Sequence, residues 1–253
     1  MPCPYMRGAH FLLSAARLSP LQSVPGMRQK LFDSPDAAVA GVPSGARIMF
    51  GGFGGAGFPN NLIQALDRSG AGDLTAITNN CGSGDGELGI LFQHDRVRYV
   101  IASFPGPQAV HFQAAYAAGR IKLELVPQGI LCERIRAAAA GLFGFYSAVG
   151  AGTEVAVGRE ERVFSGRRTV FYEPLDADYA FIKAWKADAL GNLVYRKTAR
   201  NFNPLMAMAA KTTIVEVDEI VPVGALDPEL IVTPFVFVHR IVRVKGIHNA
   251  VQV

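Results

Sequence analysis

The sequence predicts an α/β protein: a mainly parallel, open sheet with helices on both faces. Two observations carry this. Short apolar runs alternate with stretches of helical spacing up to about residue 140 and are joined by short connections, the pattern of parallel strands covered by helices. The loops that follow those runs are dense in Gly, Asn and Pro, as expected where strand ends open onto a ligand crevice.

Residues 1–26 carry Arg7 and Arg17, no Asp or Glu, and an apolar patch at Phe11-Leu12-Leu13. They read as a disordered or non-native extension. An arginine-bearing, acid-free stretch also fits a transit-like presequence, whereas Arg17 interrupts the apolar run that a secretory signal needs. One α/β domain is expected over 27–253. It opens with a short helix through Pro35-Asp36-Ala37-Ala38-Val39-Ala40, capped by Ser34 or Asp33, with Pro35 in its first turn.

Ile48-Met49-Phe50 reads as a strand buried on both faces and ended by Gly51-Gly52. A glycine-dense turn follows, and a helix starts near Pro59, with Leu62, Ile63 and Leu66 at helical spacing. Such a loop bares its backbone N–H groups, and the helix start adds a positive partial charge. Both suit a phosphate-bearing ligand.

Leu74 to Thr78 reads as a second strand, running into Asn79-Asn80-Cys81-Gly82-Ser83-Gly84-Asp85-Gly86. A short helix over Leu88–Phe92, a strand over Val97–Ala102 broken by Ser103-Phe104-Pro105, and a helix over Gln108–Ala118 closed by Gly119 come next. Residues Ile121 to Val126 alternate with period two and lead through Pro127-Gln128-Gly129 to a helix from about Leu131 to Ala140. Further strands are expected at Thr153–Val157, in a hairpin over Arg162–Tyr172 turning at Ser165-Gly166, and at Tyr179–Ala184, Leu193–Arg196 and Thr212–Val217, with a helix at Pro204–Ala210. Three loops, the glycine loop, Asn79-Asn80 and Pro127-Gln128-Gly129, are expected to line one crevice past the strand ends.

Composition narrows the function. Half of the 253 residues are apolar and 18% are charged, as in a globular core. The formal charge is +4, with no basic stripe interleaved with aromatics, which argues against a nucleic-acid partner. No apolar run reaches the roughly 18 residues of a membrane span. Cys3, Cys81 and Cys132 form neither a disulfide framework nor a zinc motif, and the five histidines show no ligand spacing. No metal site is expected, and the cysteine usage favours a reducing compartment, the cytoplasm ahead of a mitochondrial matrix.

Gly52-x-Gly54-x-x-Gly57 matches the dinucleotide-binding fingerprint, but its context does not. The next strand ends in Thr78-Asn79-Asn80 where an acid should hold the ribose, and Asp73 lies at the wrong end. A P-loop is excluded because no Gly-Lys-Ser or Gly-Lys-Thr follows. A nicotinamide-type oxidoreductase and a non-catalytic phosphosugar-binding protein stand as readings of other classes.

A longer pattern is more specific. Gly45-Ala46, an apolar triplet and Gly51-Gly52-Phe53-x-x-x-Gly57-x-Pro59 resemble the signature of the family I coenzyme A transferases, in their alpha or A-type chain. The similarity continues at Asn79-Asn80, Leu125-Val126-Pro127-Gln128-Gly129, Glu133 to Ala137, Ile182 to Asp188 with Gly191-Asn192, and Arg196 to Asn203, and covers roughly 27–244. Ser44 departs from the Asp or Asn usual before the signature glycine. The run Tyr195 to Ala210, with Ser103-Phe104-Pro105 and Val232-Thr233-Pro234, is similar to the branch that uses 3-oxoadipate; the acetoacetate-using branch is the near alternative.

The resemblance implies the CoA-transferase fold and a reaction in which CoA leaves succinyl-CoA, is held as a glutamyl thioester, and passes to a 3-oxoacid. It places the nucleophilic glutamate in a Ser-Glu-Asn-Gly motif of a partner B subunit, in a heterodimer or A2B2 heterotetramer. That motif is absent here, so no catalytic nucleophile is expected in this chain. Glu87 reads as a solvated loop residue rather than a substitute. The resemblance further implies no permanently bound cofactor, with coenzyme A as substrate. It assigns Gln128 to the substrate; Asn79 and Asn80 read equally as substrate-lining residues of the same crevice or as turn formers, and Gly51, Gly52, Phe53, Gly54, Gly55, Ala56, Gly57 and Pro59 as a loop that lets CoA or the partner's glutamate approach the backbone. Arg196, Lys197 and Arg200 read equally as CoA-phosphate contacts or structural ion pairs, and Trp185 as core or interface.

Overall fold

A computed structural model describes residues 29–244, and the expected extension over 1–26 lies outside them. The first half follows the strand–loop–helix rhythm. Strand β1 (Leu31–Phe32) precedes helix α1 (Pro35–Val39), where Ser34 is the cap and its hydroxyl accepts from Ala37 N at 3.1 Å. Then come β2 (Arg47–Phe50), α2 (Asn60–Ser69), β3 (Leu74–Thr78), α3 (Gly89–Gln93), β4 (Val97–Ala102), α4 (Val110–Ala117), β5 (Lys122–Leu125) and α5 (Gln128–Ala139). The second half holds β6 (Phe145–Ser147), β7 (Glu161–Phe164), β8 (Arg167–Tyr172), β9 (Ala177–Asp188), β10 (Leu193–Val194), α6 (Asn203–Ala209), β11 (Ala210–Val221) and β12 (Arg240–Arg243).

The large sheet runs β1-β12-β11-β9-β2-β3-β4-β5, every neighbour on that path being parallel, with β10 antiparallel on β9. Strands β2 to β5 step toward one edge, while β9, β11 and β12 step toward the other. The order therefore reverses between β2 and β9, which is where such sheets open a crevice.

Alternate side chains of the strands enter two cores, as period two requires. Ile48, Phe50, Ala76, Val100, Phe181 and Ile214 pack against α1 to α4 through Val39, Leu62, Leu66, Leu91 and Phe112. Met49, Ile77, Ile101, Ile182 and Val215 pack on the opposite face against Leu131, Ile135 and Met206 of α5 and α6. The second sheet, β6-β8-β7, is antiparallel and adds Val170 and Tyr172 to this second core. Its hairpin turns at Ser165 and Gly166, both with positive φ, which fits the tight turn that the sequence places there.

Three expectations need correction. Thr153–Val157 is not a strand: Thr153 caps a single 3-10 turn over Glu154–Ala156, and Gly150, Gly152 and Gly158, all at positive φ, keep the chain from extending. The strand at 193–196 stops at Val194, after which Lys197–Arg200 forms a second 3-10 turn. The helix placed from about Leu131 begins at Gln128 itself, because Pro127 supplies the extended residue ahead of it and Gly129 is tolerated in the first turn. The short strands β1, β6 and β12 have no counterpart in the sequence reading; each is two to four residues long and is held by its neighbour.

Candidate functional site

Four loops, not three, leave the C-terminal ends of β2, β3, β4 and β5 and enclose a crevice of about 770 Å³. The glycine loop contributes Phe53, Gly54 and Gly55, and the loop after β3 contributes Asn79, Asn80, Gly82, Ser83 and Glu87. Ser103, Phe104, Gly106 and Gln108 come from the loop after β4, and Gln128 from the first turn of α5. The β4 loop was legible as a chain break and as part of the family resemblance at Ser103-Phe104-Pro105, not as a wall of the crevice. The rule that ligands meet strand C-termini points to it as well.

Asn79 is the hub. It is 3% exposed, and its Oδ1 accepts from Gln128 Nε2 at 2.7 Å and from Ser103 Oγ at 2.7 Å. Its Nδ2 donates to Asn80 Oδ1 at 3.3 Å, and its carbonyl accepts from Phe104 N at 2.9 Å. Gln128 by contrast is exposed and faces the opening. The structure thus gathers Asn79, Asn80 and Gln128, with Asn79 facing the other two.

The glycine loop divides by task. Phe53 and Ala56 exchange backbone hydrogen bonds at 3.0 Å across Gly54 (φ +56°) and Gly55 (φ +84°), a turn that glycine adopts without strain. This uses the Phe53 and Ala56 N–H groups, and Gly51 N donates to Phe181 O. The Gly54 and Gly55 N–H groups at the tip form no hydrogen bond among the described residues. Gly51 and Gly57 are packing positions. A Cβ at Gly51 would run into the Asn203 side chain, and one at Gly57 would lie 2.9 Å from Ala199 O. Gly52 is closed by the Phe58 ring. Of the eight loop residues assigned to CoA, then, Phe53, Gly54 and Gly55 reach the crevice, while Gly51, Gly52, Ala56, Gly57 and Pro59 do not line it.

Asn203 fixes this arrangement from beneath. Fully buried, it accepts from Lys183 N at 2.9 Å and donates to Gly57 O at 3.0 Å and Ala199 O at 2.9 Å.

The start of α2 is not an open anion site. Glu216 of β11, 1% exposed, accepts from Asn61 N at 2.9 Å and Leu62 N at 3.1 Å, and Lys183 Nζ lies 3.4 Å from its other oxygen. Burial raises its carboxyl, while Lys183 and the helix N–H groups oppose that. The helix dipole expected to meet a ligand phosphate is thus satisfied inside the protein.

Glu87 overturns its solvated-loop reading. It lines the crevice with φ +54°, and its Oε2 is buried with no hydrogen-bond partner. Burial pushes its carboxyl above the ordinary glutamate range. Among the described lining residues it is the one ionisable group, with no Lys or Arg beside it. Cys81 is fully buried in the core, and burial drives its thiol well above the usual range, so it is no nucleophile. Arg196, Lys197 and Arg200 are exposed and lie outside the lining, and Arg196 stacks over the half-buried Trp185 at 5.7 Å. None of the three forms an ion pair among the described residues.

The crevice is therefore rich in neutral hydrogen-bonding groups and poor in charge, suited to a polar acyl group or a thioester rather than to a bare phosphate. The sequence profile of the family described as Coenzyme A transferase matches residues 32–244. The A subunit of the 3-oxoadipate CoA-transferase of Pseudomonas putida is 51% identical over 221 residues, 87% of this chain and 96% of that protein. The A subunit of the probable succinyl-CoA:3-ketoacid coenzyme A transferase of Bacillus subtilis (strain 168) is 46% identical over 213 residues, 84% of this chain and 89% of that one. Among solved structures, an acyl-CoA transferase from E. coli O157:H7, in a thioester complex with CoA, superposes with a TM-score of 0.75 at 22% identity, over 86% of this chain and 47% of that one. This chain thus spans about half the length of that protein, and the likeness bears on the fold alone.

Proposed function

This chain belongs to the coenzyme A transferase family, and from that premise we propose that it is the A subunit of an enzyme moving CoA from succinyl-CoA to a 3-oxoacid, 3-oxoadipate first. The high identity to a 3-oxoadipate transferase chain supports that choice, and the slightly lower identity to a 3-ketoacid transferase chain keeps acetoacetate as the alternative.

The observation that carries the reading is the Gln128 amide, held by Asn79 at the mouth of a crevice with no cation among its described lining residues. One Gln128 N–H is spent on Asn79. The other, with Oε1, is free to meet an acyl carbonyl or carboxylate without imposing charge. Such a neutral contact suits a group that alternates between free carboxylate and thioester.

In the proposed cycle the succinyl-CoA carbonyl is attacked by a glutamate of the partner B subunit, which expels CoA thiolate and leaves a mixed anhydride. The thiolate attacks the glutamyl carbonyl and releases succinate. The acceptor carboxylate and the resulting glutamyl thioester repeat the two steps in reverse order, which returns the glutamate. Gln128 orients the acyl group, Asn79 and Asn80 hold the wall behind it, and Gly54 and Gly55 admit the thioester close to the backbone. CoA is a substrate here, and no permanently bound cofactor is invoked. We place the assembly, a heterodimer or an A2B2 heterotetramer, in the cytoplasm ahead of a mitochondrial matrix.

Co-expression with a B subunit bearing Ser-Glu-Asn-Gly tests this. The purified complex should exchange CoA between succinate and 3-oxoadipate or acetoacetate. A well-formed complex inactive with both acids would overturn it.

A further inference from the structure

We propose that Glu87 is a contact for the pantetheine arm of CoA, its carboxylate accepting a hydrogen bond from an amide N–H or hydroxyl of the arm as it passes the tip of the glycine loop. The proposal rests on the CoA-transferase reading above and adds a residue to it.

Three observations single out Glu87. Among the described residues, five other than glycine hold a left-handed φ: Asp73, Glu87, Asp95, Ser165 and Lys197. Of these only Glu87 lines the crevice. Residues held in sparsely populated backbone conformations concentrate at ligand clamps, where the surroundings fix them. Second, two buried side-chain oxygens among the described residues lack a partner, Asn60 Oδ1 and Glu87 Oε2, and again only Glu87 lines the crevice. A buried acceptor without a donor is costly, so a native protein that retains one has a use for it. Third, Glu87 stands against the loop tip: a Cβ on Gly55 would lie 3.7 Å from its Oε1.

The chemistry of the substrates then selects the partner. Succinate and a 3-oxoacid present carboxylates and a keto group, all acceptors, which cannot satisfy an ionised carboxylate. The pantetheine arm carries amide N–H groups and a hydroxyl. An amide also carries a carbonyl, and the unused N–H groups of Gly54 and Gly55 lie on the neighbouring wall. One amide of the arm can thus give its N–H to Glu87 and take a hydrogen bond from the loop tip.

The test uses the complex with the B subunit. It measures kcat/KM for succinyl-CoA and for the acceptor acid separately. In Glu87→Ala the succinyl-CoA value should fall roughly tenfold or more, the worth of a hydrogen bond to a charged group. The acceptor value should stay near wild type, because CoA is by then covalently held. Glu87→Gln, whose amide oxygen still accepts, should retain most of the activity. Glu87→Gly removes the left-handed strain and replaces Glu87→Ala if that variant fails to assemble. A fall confined to the acceptor acid, or no fall in either value, overturns the proposal. A wild-type complex that exchanges no CoA overturns the function reading instead, so the two failures are distinct.

Discussion

Gln128 Nε2 donates to Asn79 Oδ1 at 2.7 Å, joining two residues 49 apart in sequence that stand past the C-terminal ends of β3 and β5, on either side of β4. The exposed amide at the mouth of the crevice is aimed by a buried one behind it. Asn79 is in turn held by Ser103 Oγ at 2.7 Å. Asn79→Ala should therefore act through Gln128, lowering kcat/KM for the acceptor acid about tenfold, roughly 1.4 kcal/mol. Steady-state exchange by the assembled complex measures this, with the amount of complex recovered unchanged.

In the proposed role, what Gln128 supplies is a neutral contact. Gln128→Ala removes the hydrogen bond and should cost about tenfold in kcat/KM. Gln128→Glu keeps the size but sets a negative charge against a carboxylate, so its loss should be the larger. Parallel assays of the two variants give the order, and a more active Glu variant would contradict the role assigned to the amide.

The two kinds of glycine in the loop should separate by stability. Gly51→Ala drives a methyl into Asn203, which Lys183, Gly57 and Ala199 already hold. A cost of about 1–3 kcal/mol is expected from such overpacking. Gly54 has nothing within 4 Å of a new Cβ, so Gly54→Ala should cost only the left-handed backbone penalty, about 1 kcal/mol. Urea unfolding distinguishes them.

The pH dependence of Glu87 has a fixed sign. Burial raises its carboxyl above the ordinary glutamate value of 4.5, so the native state binds the proton more tightly than the unfolded chain does. The resulting stabilisation is fully present below pH 4.5 and is lost as pH rises through the raised native value. Glu87→Gln does not titrate. Its Tm should rise relative to wild type across that window and stay ahead at neutral pH, as thermal melts of the ligand-free protein would record.

The parallel sheet was legible because Gly, Asn and Pro punctuate each βα unit, so that Phe50, Thr78 and Ala102 visibly end strands. Asn79, Asn80 and Gln128 were legible as neighbours because every strand of a parallel sheet delivers its loop to the same edge. What escaped was set by distance. The carboxylate that satisfies the α2 start comes from Glu216, 155 residues beyond Asn61, and nothing local to the glycine loop announces it. Glu87 sits in a run of Ser, Gly and Asp that reads as solvent-facing; only the folding of that run against the glycine loop buries one of its oxygens. Gln128 looked like a loop residue because Pro-Gln-Gly is turn-like, and the helix beginning there is stabilised by packing of Ile130, Leu131 and Ile135 rather than by its first turn.

In the proposed function this chain binds and orients while its partner carries the covalent chemistry. The complex incubated with succinyl-CoA and no acceptor, then denatured and weighed chain by chain, tests it most directly. One CoA less the elements of water should appear on the partner, with this chain at its unmodified mass. A CoA adduct on this chain, at Glu87 or elsewhere, would contradict the account.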